Sequence, residues 1–109
     1  MEGNSLEEYF YHNNRLGIEL PIINDEWASL SDDLQQSILL HWEKVRGMIP
    51  DRIINLEKVI NTKQAQLSIE VDFELSCQLN SEIADLASTI NDLWLWFRTD
   101  QDISEKVHQ

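Results

Sequence analysis

The sequence predicts an all-α fold: a small antiparallel helical bundle built on a long helical hairpin, about 50–66 and 70–98, with a preceding helix at about 31–46. Three observations carry this. Glycine (3) and proline (2) are scarce in 109 residues, and neither occurs after Pro50. Apolar residues recur at three- and four-residue spacing through most of the chain. Helix-capping residues bracket the periodic stretches. Hydrophobic residues make up 42%, a globular composition, and the length suits one domain over residues 1–109.

Leu6 to Asn13 reads as a short helix holding the aromatic cluster Tyr9, Phe10 and Tyr11. Residues 17–23 read as extended, because Pro21 turns Leu20 away from helix. Asn24 suits an N-cap, with Asp25 and Glu26 favouring the helix dipole behind it. Ser29 or Ser31 caps the next helix, and Asp32 and Asp33 follow in its first turn. Leu34, Ile38, Trp42 and Val45 keep helical spacing, Lys44 and Arg46 suit the last turn, and Gly47 suits the C′ position.

Pro50 fits the first position of a new helix, with Asp51 supporting its positive end. Ile53, Leu56, Ile60 and Leu67 then keep a heptad-like rhythm that Lys63 interrupts. A straight helix over 50–98 would be ~70 Å long, against a radius of gyration near ~13 Å for a compact domain of this size. The stretch therefore bends back or pairs with another chain.

Residues 67–79 carry two patterns. Leu67, Ile69, Val71, Phe73, Leu75, Cys77 and Leu79 alternate with polar residues, which is the period of a strand. A strand needs a partner, and the one in-chain candidate, Ile18/Leu20/Ile22, contains Pro21. The same residues make two helical stripes, Leu67/Val71/Leu75 and Ile69/Phe73. Helix is the expectation, with a turn near 66–70. Leu79, Ile83, Leu86, Ile90, Leu93 and Phe97 then run at spacings of 4, 3, 4, 3 and 4, an a/d seam. The polar tail, 99–109, is expected to be less ordered.

The net charge is −12, which disfavours direct nucleic-acid binding. Charge is uneven along the chain. Residues 1–43 hold nine acids and one base, residues 44–63 have a net charge of +3, and residues 64–97 hold six acids and no base. Antiparallel packing of 50–66 on 79–98 would set opposite charges beside the seam, fixing orientation more than stability. The acidic N-terminal stretch does not suit a signal peptide, and no apolar run approaches a membrane span, so the reading is a cytoplasmic protein without membrane contact.

No stretch carries a catalytic motif, so an enzyme is not the leading expectation. Cys77, the single cysteine, reads as a small hydrophobe, and His12, His41 and His108 lack the spacing of a zinc pair. The alternative is a set of paired carboxylates, Glu70 with Glu74 and Glu82 with Asp85, which on facing helices would suit Mg²⁺ or Mn²⁺. Glu82-Ile83-Ala84-Asp85 resembles the Glu-x-x-Asp element of the all-α nucleotide pyrophosphohydrolases, which implies metal-dependent phosphohydrolysis. Their upstream Glu-x-x-Glu has no counterpart here. Leu93, Trp94, Trp96 and Phe97 lie in a five-residue apolar run that covers every side of a helix, so they either serve as interface residues toward another chain or are covered within the monomer by the aromatic segment Tyr9 to Tyr11. The leading expectation is a protein interaction or regulatory module forming a homodimer. A third reading is an acidic regulator that mimics nucleic acid.

Overall fold

The structure is a computed structural model that describes residues 6–22 and 26–99. It is mostly helical, as the sequence predicts. A short 3-10 helix, Leu6–Tyr9, leads into a two-stranded antiparallel hairpin, β1 (Phe10–Asn13) and β2 (Ile18–Pro21). A second 3-10 helix, Trp27–Ser29, precedes α1 (Asp32–Gly47), α2 (Ile49–Ile69) and α3 (Phe73–Phe97).

The β-hairpin corrects the expected helix at Leu6 to Asn13. Its cause is a turn signal just beyond the aromatics. Asn13 Oδ1 accepts from Leu16 N at 2.9 Å, Gly17 N donates to Asn13 O at 2.7 Å, and Gly17 takes φ 75°, open to a residue without a Cβ. A Cβ on Gly17 would also lie 2.7 Å from Arg52 Nε, which donates to Leu16 O at 3.0 Å. The extended reading of Ile18 to Pro21 holds, and the register sets Phe10 opposite Pro21 at the end of the pair, where proline costs least. Asn24 and Asp25, the expected cap, lie outside the described residues, as does the tail beyond Thr99.

Ser31 caps α1 as expected, its Oγ accepting from Leu34 N at 3.2 Å, with Lys44 and Arg46 in the last turn. Gly47 is not the left-handed C′ residue the sequence suggests. It ends the helix itself, and after Met48 alone the chain re-enters helix at Ile49, with Pro50 in the first turn. Residues 67–79 are helical apart from a break at Glu70, Val71 and Asp72, slightly later than expected. The break has a local cause: Asp72 Oδ1 accepts from Leu75 N as the N-cap of α3, and Glu70 Oε2 accepts from Asp72 N. The strand reading does not hold: among the described residues the sheet is β1 and β2, and 67–79 lie in α2, the break and α3.

The core gathers at one end of the molecule. Trp42, Val45, Ile49, Ile53 and Leu93 are almost wholly buried, and the β-hairpin closes over them with Phe10, Ile18 and Leu20. Trp42 packs edge-to-face on Trp96 at 5.7 Å between centroids, and its Nε1 donates to Thr99 O at 3.3 Å. Beyond Leu56 the α2/α3 hairpin projects as two helices alone, and the molecule measures 60 × 26 × 20 Å.

Candidate interaction surface

The α2 seam reads Ile49, Ile53, Leu56, Ile60, Lys63 and Leu67, a 4-3-4-3-4 run of buried or half-buried positions. Lys63, the interruption in the heptad rhythm, therefore occupies a seam position. Its Nζ lies 2.9 Å from Glu82 Oε1 on α3, and Gln78 Nε2 donates to Glu82 Oε2 at 3.0 Å. A polar layer of this kind selects register. A hairpin slipped by one heptad would set Lys63 against Leu75 or Thr89, neither of which is anionic.

These bonds hold the Glu82 carboxyl below the usual glutamate range, chiefly through Lys63 and then through Gln78. Because the folded value is the lower one, the stabilisation is present above the ordinary glutamate pKa of the unfolded chain and is lost as pH falls through the folded value. Carboxyl-carbon NMR is expected to show Glu82 titrating below its ordinary range. Lys63→Met should return it toward that range and remove the corresponding acid dependence of stability. An unchanged Glu82 titration in that variant would contradict the polar layer.

Glu82 thus has a neighbour different from the cation suggested by the acid pairs. Glu70 ends α2 and binds backbone, Glu74 sits in the first turn of α3, and Asp85 is exposed one turn beyond Glu82. Among the described residues no group of three or more histidine, cysteine, aspartate or glutamate side chains is placed to hold a metal ion. Cys77 is exposed rather than buried. His41 Nε2 bonds Glu19 Oε1 at 2.8 Å and its ring meets Phe10 edge-on, which ties α1 to the β-hairpin.

The apolar run at the end of α3 divides by helix face. Leu93 is fully buried within the chain, in the core cluster. Trp96 is half-buried against Trp42, and Phe97 lies under the Arg46 guanidinium, 4.9 Å from its ring centroid. Trp94 remains 38% exposed, stacked edge-on against Phe97, and Leu95 is half-exposed beside it. At the opposite end of the same helix, the hairpin tip presents Ile69, Val71 and Phe73 at 81%, 95% and 79% exposure. Sequence reasoning spread these tip residues over two helical stripes and did not single them out as a surface. Their signal was the alternating apolar run itself, which a helix break at 70–72 turns into an apolar knob.

No protein-family model, curated protein or solved structure matches this chain. The surface chemistry therefore stands alone. A shallow cleft on α1, lined by Asp33, Gln36, Ser37, Leu39, Leu40 and Glu43, adds one more exposed leucine, Leu40. Among the described residues no helix is long and apolar enough to cross a membrane.

Proposed function

We propose that this protein is a helical interaction module that acts as a homodimer. The reading rests on one observation: α3 carries clustered exposed apolar side chains at both ends, Ile69/Val71/Phe73 beside its start and Trp94/Leu95 near its finish. Removing such groups from water is worth ~25 cal/mol per Å², and clusters of this kind on a soluble surface mark contact sites. The occupant that suits both clusters is a second copy. A two-fold axis across α3 brings the tip of each copy to the aromatic end of the other, so both patches are covered by one contact. The acidic surface outside the patches would hold further encounters apart.

Multi-angle light scattering at tens of micromolar is the test. The expected mass is twice the 12.8 kDa of one chain. A clean 12.8 kDa particle at that concentration overturns the reading.

A further inference from the structure

Stepping alternately four and three residues from Phe73 along α3 reaches Cys77, Asn80, Ala84 and Ala87, then Asn91 and Trp94. Every one of these residues is exposed. They form a second heptad stripe on a flank of α3, ~100° round the helix from the seam that faces α2, and none of them is charged although 26% of the chain is. Loss of charge at the centre of a surface is the compositional mark of an interface core. The ends of the stripe are different. Glu74 lies beside Phe73, and Arg98, exposed, follows Trp94 by one more step of four.

From this juxtaposition we infer that α3 pairs antiparallel with α3 of a second copy, in the register that sets Ala84 against Ala87 across the two-fold axis. The inference deepens the homodimer reading and rests on it. Antiparallel seams match a positions with d positions. In this register Cys77 meets Trp94 of the second copy, so a small side chain faces a large one. Asn80 meets Asn91, amide to amide, where each can donate and accept. Phe73 and Glu74 meet Arg98, a cation over an aromatic face beside a carboxylate.

Charge decides between this arrangement and the alternatives. A parallel pair would stack Glu74 on Glu74 and Arg98 on Arg98. An antiparallel pair shifted by one heptad one way would carry Trp94 past the start of α3, and shifted the other way would set Arg98 against Asn80, with no carboxylate opposite it. Only the chosen register leaves the uncharged stripe facing itself and brings opposite charges together at both ends. Alanine at the centre lets the helix axes approach to ~8 Å.

Two single-cysteine chains test it, Ala84→Cys and Ala87→Cys, each with Cys77→Ser and one of them isotope-labelled. They are mixed, allowed to exchange subunits, and oxidised. The chosen register brings position 84 of one chain to position 87 of the other within disulfide reach, so linked chains are expected to be mixed pairs by at least ~10-fold over either like pair. Like positions are offset by three residues, ~4.5 Å along the axis, on top of the lateral separation. A predominance of like pairs overturns the antiparallel arrangement. A dimer by light scattering that forms neither bond overturns this seam while leaving the homodimer intact. A monomer by light scattering overturns both. Because both alanines are exposed, neither cysteine disturbs the monomer core.

Discussion

Trp42→Ala is expected to lower the melting temperature by roughly 15–35 °C, the largest effect on folding of any single truncation in the chain. The indole is 0% exposed at the point where α1, the β-hairpin and the end of α3 converge. Its removal leaves a cavity bordered by helix backbones that cannot close, a loss of ~3–5 kcal/mol against a total of ~5–15 kcal/mol for a domain. It also strands the Thr99 carbonyl that Nε1 holds, and removes the aromatic face on which Trp96 rests. Circular dichroism against temperature measures the shift. A change below about 5 °C would mean that the indole site collapses freely, which is incompatible with the buried arrangement.

Ala84→Glu is expected to weaken self-association by at least about 100-fold while leaving the monomer folded. Ala84 lies on a flank of α3, exposed in the monomer, and glutamate is a good helix former. The chain alone therefore tolerates the change. In the proposed pair each copy places one carboxylate in the central alanine layer, and burying two like charges costs several kcal/mol. Sedimentation equilibrium reads the dissociation constant. Ser81→Glu supplies the control, since Ser81 is exposed on α3 off the stripe and the variant gains the same charge. Comparable weakening by both variants would point to a general charge effect and not to the seam. Melting temperatures need comparison at high dilution, because association itself raises them by mass action.

Much of the fold was legible because local and tertiary signals agree over α1 and the second half of α3. Ser31 caps, Lys44 and Arg46 close, and the seam from Leu79 to Phe97 keeps one face toward α2. Legibility failed where two periods overlap. On a helix, residues alternating from Leu67 to Leu79 cannot share one face, so some must be exposed. The break at 70–72 concentrates those at the tip as Ile69, Val71 and Phe73. The missed β-hairpin had its signal in Asn13 and Gly17, which close a turn between two short apolar runs.

The site was legible in a similar, partial way. The aromatic run at 93–97 was visible as an excess of apolar residues, but which of them face outward depends on the helix phase, and that phase buries Leu93. Lys63 was visible as an interruption in the α2 seam. Its partner was visible too, as Glu82, but grouped with its sequence neighbour Asp85 instead of with the residue across the hairpin. Spacing along one helix shows which side chains share a face. It does not show what stands opposite.

The two-helix projection beyond Leu56 also governs how the molecule moves through water. A particle 60 Å long and 20–26 Å across drags more solvent than a sphere of the same mass. A single copy therefore emerges early from a sizing column and tumbles slowly about its short axes. Two copies laid side by side along α3 add thickness but little length. Their friction per unit mass falls, so pairing would change diffusion less than mass.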